Sequence, residues 1–371
     1  MLKKMIIIIL LAANFTAVCQ VPTYLKDYRK EYNKNPREAN IKWFKDAQFG
    51  MFIHYGLYSL LGKGEWVQVN DTIPLDEYEK LTGRFTALRF DAEAIARLAK
   101  KAGMKYITIT SKHMDGFCLF NTKETSFNSV NSAAHRDLIG EMAKACEKEG
   151  LGFFLYYSYA ADCHHPYFYD REDGWKYARP AYSKKPQEYK YEKPEDFRNY
   201  IDFVHAQLKE LLTQYPTVAG IWFDPIVGFY TNPDVFPIEE TYALIRSLSP
   251  HALISFKQGA NGDEDFMAPE RAGNIKVDEN RYPVARKAYE QNKDKPKEVC
   301  NTMQPRLPGF RGGATWGYNK AIDGHHLKVE DVKNLLDEAK SNHYNLLLNI
   351  GPLPDGEVHP EDIETLSNLK E

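Results

Sequence analysis

The chain has 371 residues, 13% of them aromatic, and a formal net charge of −3. This charge excludes an electrostatic case for binding nucleic acid or an anionic membrane surface. The length alone suggests two domains, although α/β barrels of this size are a recognised exception. The 24 Tyr and 20 Phe residues are numerous enough to provide ring platforms for a flat, hydroxylated ligand as well as a core.

Residues 1–19 have the layout of a secretory signal peptide. Two lysines precede an apolar run that ends near Val18, and this run is too short to span a membrane. Cleavage is expected just before Gln20, and acylation of Cys19 into a lipoprotein anchor is the alternative. The sequence therefore predicts export to the periplasm or the exterior, and no later apolar segment indicates a membrane span.

From residue 90 onward, helices and short apolar strands alternate. In the first unit Asp91 is placed to cap a helix, Gly103 is placed to end it, and a β-branched strand follows at 106–110. The same order recurs further along the chain, in 137–158, 196–225, 239–257 and 329–352. Residues 49–56 and 298–304 are additional strand candidates, and a last helix is expected from about Pro360.

These strands are apolar on both faces, which is typical of a parallel sheet covered by helices on each side. We count about seven strands and expect an eighth within residues 271–297. That number predicts a closed, TIM-like (β/α)8 barrel rather than an open sheet. No glycine-rich phosphate-binding fingerprint follows a strand, which disfavours a dinucleotide-binding protein.

In such a barrel the catalytic groups stand at the carboxyl ends of the strands. Asp224 is the sharpest candidate, because an apolar strand ends in this carboxylate and Pro225 holds it extended. A turn or cap aspartate is an equally good interpretation. The other strand ends that should meet at the same mouth carry His54, Tyr55, Lys112, His113, Asp115, Tyr156, Tyr157, Ser158, Trp222, Lys257 and Gln258.

Glycoside hydrolysis requires a second carboxylate, because one group attacks or assists while the other protonates the leaving oxygen. Spacing alone leaves five candidates open: Glu65, Asp263, Glu264, Asp265 and Glu270. Aromatic rings beside carboxylates suit a sugar, since the rings bind C–H surfaces and the carboxylates bind hydroxyls.

The cysteines and histidines indicate neither a metal nor a cofactor. Four cysteines follow the predicted signal peptide, and their spacings match no disulfide framework or zinc pattern. Cys163, His164 and His165 form the only metal-like cluster, but adjacent histidines on a loop rarely face one ion.

Several motifs together resemble one known family. In chain order from about residue 40, they are "FGMFIHYGLYSL", "GEWV", "TSKHMDGF", "GIWFD", "DFMAPE", "TWGYN" and "NLLLNIGPLPDG". The set is similar to the catalytic barrel of glycoside hydrolase family 29, the retaining α-L-fucosidases. Any one of these motifs would be a weak signal, but the ordered set is specific.

The resemblance implies a double displacement through a covalent glycosyl-enzyme intermediate. Asp224 matches the nucleophile, and Glu270 matches the general acid/base of one branch of the family. The resemblance further implies sugar contacts at His54, Glu65, Trp66, His113 and Tyr156, with Trp222 and Trp316 lining the same pocket.

Three positions depart from the family pattern. Met114 stands where the family commonly has His, and Pro225 follows Asp224 where Gly is frequent. Gln258, with Lys257 beside it, occupies a register where the family often has Arg. Met114 and Gln258 are accordingly expected to alter sugar contacts, so L-fucose is the default and L-galactose or a decorated fucose stays open.

The resemblance also bears on domains and on alternatives. Many family members carry a β-sandwich after the barrel, whereas this chain stops one helix past its last strand, so we expect a single catalytic domain over residues 20–371. The expected activity is exo-acting release of terminal α-L-fucose from a fucosylated oligosaccharide or glycoconjugate, without a cofactor. The alternatives are a carbohydrate-binding barrel that has lost turnover and a metal-dependent hydrolase that uses His164 and His165.

Overall fold

The computed structural model of the chain describes residues 21–270, 282–307 and 315–370. Within these residues, seven strands form one parallel sheet in the order β5-β4-β3-β2-β1-β7-β6. Their bounds are β1 Phe49–Ile53, β2 Tyr106–Lys112, β3 Gly152–Ser158, β4 Gly220–Asp224, β5 Leu253–Ser255, β6 Glu298–Thr302 and β7 Asn345–Ile350. An α/β fold with a parallel sheet is therefore confirmed.

Helices connect the strands in sequence. Their bounds are α1 Arg29–Tyr32, α2 Pro36–Ala47, α3 Val67–Asn70, α4 Leu75–Glu79, α5 Ala92–Ala102, α6 Leu138–Glu149, α7 Phe197–Gln214, α8 Ile226–Thr231, α9 Ile238–Leu248, α10 Pro283–Asn292, α11 Val329–Ser341 and α12 Pro360–Ser367. None of the helices in the described ranges has the length and apolar composition needed to cross a bilayer.

The first predicted helix–strand unit forms as its end signals indicate. The Asp91 carboxylate accepts the N–H of Ala94 at 2.9 Å and so caps α5. Gly103 ends the helix with a φ of 93°, a left-handed conformation that glycine adopts without a steric penalty. The chain then enters β2 three residues later.

The sheet curls, and a short irregular segment lies between its two outermost strands. The N–H of Asp265 donates to the carbonyl of Ile254 at 2.7 Å, and the N–H of Ala268 donates to that of Lys257 at 2.8 Å. On the other side, isolated parallel bridges join Met267 to Lys297 and Glu270 to Cys300. Residues 265–270 thus contact both edges of the seven-stranded sheet.

This placement corrects the expected position of the eighth strand. Residues 271–281 of the expected stretch lie outside the described residues, and most of the described remainder forms α10 instead. The strand-like pairing lies upstream, at 265–270. The pairing consists of isolated bonds, and Pro269 within it has no N–H to donate to a regular ladder.

Alternation along the strands separates two buried layers. Met51 and Ile53 pack in the cluster between the sheet and the helices, whereas Phe52 packs inside the curl with Tyr156 and Trp222. Successive side chains of a strand point to opposite faces, so each strand supplies both layers. The inner layer ends at the carboxyl ends of the strands, where the candidate site lies.

A buried ion pair fastens the long connection that follows β3. The Lys112 ammonium lies 2.6 Å from Asp162, and both side chains are at most 1% exposed. The other oxygen of Asp162 accepts the N–H groups of His164 at 2.9 Å and His165 at 2.7 Å. The ion pair therefore holds residues 162–165 against the end of β2.

The two adjacent histidines have different surroundings. His164 Nε2 lies 2.9 Å from Glu79, and the His164 ring stacks on Phe127. The His165 ring packs against Phe203, with centroids 4.6 Å apart. The four cysteines of the described residues, Cys118, Cys146, Cys163 and Cys300, are buried free thiols. The predicted signal peptide lies outside the described residues, and the expected absence of a β-sandwich stays a prediction.

Replacing Lys112 by Met should destabilise the fold by about 3–5 kcal/mol, because Asp162 would be left buried without its counter-ion. The double variant Lys112→Met/Asp162→Asn should recover most of that loss, since Asn still accepts the two backbone N–H groups and no unpaired charge remains. Guanidinium unfolding of both variants measures this. Equal losses in the single and double variants would show that the charge imbalance is not the cause.

Candidate active site

A cavity of about 580 Å³ opens at the carboxyl ends of the strands. Ten of the eleven site residues predicted from the sequence line it, and Met114 does not. The lining residues are Phe52, His54, Glu65, Trp66, His113, Tyr156, Trp175, Trp222, Asp224, Pro225, Ile226, Val227, Lys257, Gln258, Glu270, Cys300 and Trp316. A wider groove of about 940 Å³ lies on the outer surface beside α5 and α6, away from the strand ends.

Asp224 is the last residue of β4 and points into this cavity. Its Oδ2 accepts the hydroxyl of Tyr156 at 2.9 Å, and its Oδ1 lies 3.3 Å from the Lys257 ammonium. Burial raises the pKa of Asp224, the nearby Lys257 opposes that rise, and the negative charge of Glu270 adds to it. A partly exposed carboxylate with one donor on each oxygen is thus held at the strand end.

Glu270 reaches the same cavity from the segment beside β6. Its side chain is 46% exposed, and its Oε1 accepts from the Lys257 ammonium at 2.7 Å. Because the Asp224 and Glu270 oxygens lie 3.3 and 2.7 Å from one nitrogen, these two oxygens are at most 6.0 Å apart. The cavity therefore contains two facing carboxylates that share one cation.

The structure separates the five carboxylates that spacing left open. Glu65 and Glu270 line the cavity. Asp265 is bound by Arg37 at 2.6 Å and Arg246 at 2.7 Å, and Glu264 accepts the hydroxyl of Tyr242 at 2.7 Å. Those two side chains support the fold rather than the cavity, and Asp263 is exposed on the surface.

Lys257 follows β5 and is 6% exposed. Its ammonium lies 4.5 Å from the centre of the Trp222 ring, which is a cation–π distance. Burial alone would lower the pKa of Lys257, but the Asp224 and Glu270 carboxylates outweigh burial and raise it. The side chain is consequently a permanent cation between the two carboxylates.

Two histidines form a neutral part of the wall. Burial lowers the pKa of His54 to about 3, although its Nδ1 bonds the Asn349 side chain at 2.8 Å. Burial also lowers the pKa of His113, whose ring stacks on Tyr156 with centroids 5.4 Å apart. His113 Nδ1 has no hydrogen-bond partner among the described residues. Neutral imidazoles of this kind can donate to or accept from a ligand hydroxyl.

Glu65 is held by the backbone of the opposite wall. Its Oε2 accepts the N–H groups of Trp316 and Gly317, each at 2.9 Å. Burial nevertheless raises the pKa of Glu65 to about 7, because these donors offset only part of the desolvation. Trp66 lies edge-on to Trp175, with ring centroids 5.7 Å apart. The walls thus combine flat apolar rings with polar edges, which suits a polyhydroxylated ring.

Met114 is the predicted site residue that the structure does not place at the cavity. It is 2% exposed and packs in the apolar cluster between the sheet and the helices. His113 faces the cavity, so the following side chain turns to the other side of the chain. The expectation that Met114 contacts a sugar is therefore corrected, whereas Gln258 does line the cavity.

The sequence reasoning gave no role to two lining residues, Lys257 and Trp175. Lys257 was placed at the mouth as a strand end, and its position after an apolar strand is the signal that marks it. Trp175 lies in the long connection between β3 and α7, where no periodic pattern or motif singles out a residue.

Comparisons with known proteins agree with this geometry. The sequence model of the family described as Alpha-L-fucosidase matches residues 16–371. The chain is 26% identical to the α-L-fucosidase of Branchiostoma floridae over 97% of its own length and 76% of that protein. Its structure is similar to α-L-fucosidase isoenzyme 1 from Paenibacillus thiaminolyticus, with 33% identity, a TM-score of 0.73, and 90% and 75% of the two chains covered.

A third similar structure is a trapped covalent intermediate. It is a family 29 α-L-fucosidase from Bacteroides thetaiotaomicron in complex with 2-fluoro-fucosyl fluoride. The identity is 26% and the TM-score 0.68, with 89% of this chain and 73% of that chain covered.

Glu65→Gln should remove a pH dependence of stability. Between the ordinary pKa of 4.5 and the folded value of about 7, Glu65 binds a proton in the folded state but not in the unfolded state. Its contribution to the free energy of unfolding therefore falls as pH rises through this interval, by about 3 kcal/mol at about 1.4 kcal/mol per pH unit. Denaturant unfolding of both proteins from pH 4.5 to 8 tests this, and a difference that is independent of pH would refute it.

Met114→His should leave sugar discrimination unchanged and reduce stability by about 1–3 kcal/mol, because a polar ring would be buried among apolar side chains. The readout is the ratio of kcat/KM for an aryl α-L-fucoside and an aryl α-L-galactoside, together with the melting temperature. Gln258→Met is the contrasting variant, since it changes a side chain that lines the cavity. A changed ratio in Met114→His would return Met114 to the site.

Proposed function

The chain belongs to the α-L-fucosidase family, and from that membership we propose that it is an exo-acting, retaining glycoside hydrolase that releases terminal α-L-fucose from glycans. One observation carries the mechanism. The facing oxygens of Asp224 and Glu270 are at most 6.0 Å apart. Retaining enzymes hold their carboxyl groups roughly 5–5.5 Å apart, whereas inverting enzymes need about 6.5–9.5 Å to admit a water molecule.

In the first half of the reaction, Asp224 attacks the anomeric carbon of the sugar. A bond forms between its carboxylate oxygen and that carbon, the glycosidic bond breaks, and Glu270 gives its proton to the leaving oxygen. The Tyr156 hydroxyl, which donates to Asp224 at 2.9 Å, orients the attacking carboxylate. In the second half a water molecule attacks the same carbon, Glu270 takes its proton, and Asp224 departs as a carboxylate.

The remaining lining residues would hold the sugar. The neutral rings of His54 and His113 offer hydrogen bonds to hydroxyls without adding charge. Glu65 has its second oxygen available for a further hydroxyl, and Trp316 offers a ring face beside it. A ligand with several hydroxyls on one side and an apolar face on the other matches this distribution, as a terminal deoxy sugar does.

A binding protein without turnover is the less favoured function. Both carboxylates that the chemistry requires are present, and each has a donor that positions it. Met114 loses its value as a sign of drift because it lies in the core. Gln258 remains as a lining residue that departs from the family pattern, so the choice between L-fucose and a close relative depends on it.

The same membership supports two proposals on architecture and location. Residues 265–270 contact both β5 and β6, and we infer that they take the eighth position of a closed (β/α)8 barrel. Export to the periplasm or the exterior is supported by the basic start and apolar run of residues 1–19.

Asp224→Ala should lower kcat for an aryl α-L-fucoside at least about 10³-fold, because it removes the attacking group. Asp263→Ala is the matched control: its carboxylate is exposed outside the cavity, so activity should be kept. Proton NMR of the wild-type reaction should show α-L-fucose as the first product. Initial release of the β anomer would indicate inversion and refute the mechanism, and binding of fucose without turnover by the wild type would favour the binding protein.

A further inference from the structure

Lys257 is the only lysine or arginine among the described residues that line the cavity. It contacts both carboxylates at once, with Nζ 3.3 Å from Asp224 Oδ1 and 2.7 Å from Glu270 Oε1. The imidazoles of His54 and His113 are neutral because of their burial. The positive charge that faces the two carboxylates therefore comes from this single ammonium.

The position of the ammonium is fixed at both ends of the residue. The Lys257 carbonyl accepts the N–H of Ala268 at 2.8 Å, which ties its backbone to the segment that carries Glu270. Its side chain passes over the Trp222 ring. Lys257 has a φ of 51°, a left-handed conformation that is uncommon for lysine and is retained only where the surroundings determine it.

The charges around Lys257 change during a double displacement, and this inference rests on the function proposed above. Before the reaction, the ammonium has two acidic neighbours. Once Asp224 has formed its bond to the anomeric carbon, that carboxylate is an ester and carries no charge. Lys257 then has one ionic partner left, Glu270, and the attraction is strong because the site is largely removed from water.

We propose that Lys257 is a positioning residue for the second half of the reaction, in which it holds Glu270 as an ionised carboxylate facing the glycosyl-enzyme. In that step the water oxygen bonds to the anomeric carbon, the bond from that carbon to the Asp224 oxygen breaks, and the water proton moves to Glu270. An ionised and oriented Glu270 is the state that accepts this proton. Lys257 itself keeps its proton throughout.

Loss of Lys257 should therefore slow the second half more than the first, above all for a substrate with an activated aryl leaving group that needs little acid assistance. In Lys257→Met, kcat should fall at least about 10-fold, within the 10²–10⁴-fold that general base catalysis supplies. KM should fall with it, so that kcat/KM changes less. Rapid mixing should show a burst of about one aryl alcohol per active site, since the intermediate accumulates.

Azide distinguishes a role in the second half from a general loss of structure. It attacks the anomeric carbon without needing a base, so it should raise kcat of Lys257→Met and yield the α-fucosyl azide. Lys257→Arg keeps the positive charge and should show neither the burst nor the azide effect. If Lys257→Met does not fold, Lys257→Gln, which keeps a polar end, gives the same readouts.

The matched control is Lys112→Met/Asp162→Asn, which also removes a buried ammonium beside a carboxylate but lies outside the cavity. It should show no burst. If kcat and kcat/KM of Lys257→Met fall together, without a burst and without an azide effect, Lys257 has no special part in the second half and the inference is overturned.

A separate measurement tests the proposed function on which this inference rests. Wild-type protein is incubated with 2-fluoro-fucosyl fluoride, and its peptides are analysed by mass. Absence of an adduct on Asp224 would refute the double displacement itself. An adduct on Asp224 together with no accumulation in Lys257→Met would refute only the role of Lys257.

Discussion

The alternation of side chains along parallel strands is the constraint on which this site depends. The curl of the sheet makes one face of each strand the inside, and every second residue is sent there. Phe52, Tyr156 and Trp222 form that inner layer. The next inward positions, at the carboxyl ends of the strands, are occupied by His54 and Asp224, so the end of the core is also the floor of the cavity.

Desolvation decides the charge state of each group on that floor. Burial favours the neutral form of every titratable group, and it is unopposed enough at His54 and His113 to keep both imidazoles uncharged. Asp224 and Glu270 are different because the Lys257 ammonium is within hydrogen-bonding or ion-pair distance of each. One cation between two carboxylates keeps charge in the cavity at the place where a glycosidic bond would be broken.

The sequence predicted the features that depend on local pattern. Caps such as Asp91 and Gly103 mark helix ends through short-range bonds, and apolar strands reveal their burial, so the α/β class and the strand ends could be read directly. The placement of Met114 could not, because the direction of a side chain just past a strand depends on how the chain leaves it. The strand-like pairing at 265–270 was also missed, since its isolated bonds produce no periodic pattern. The role of Lys257 depends on two contacts, Asp224 at 33 residues' separation and Glu270 at 13, that no spacing rule connects.

The position of Glu270 shows how far from the cavity a catalytic geometry can be determined. Its segment begins at Asp265, whose carboxylate is buried and bound by both Arg37 and Arg246, and also accepts the N–H of Ile254 at 2.7 Å. These contacts tie the start of the segment to α2, α9 and β5. The segment then bonds to Lys257 through Ala268 and bridges to β6 at Cys300. An irregular stretch that lacks a ladder of its own is thus held by ion pairs at one end and by the sheet at the other. A half-exposed glutamate can in this way be kept opposite Asp224 without belonging to a regular strand.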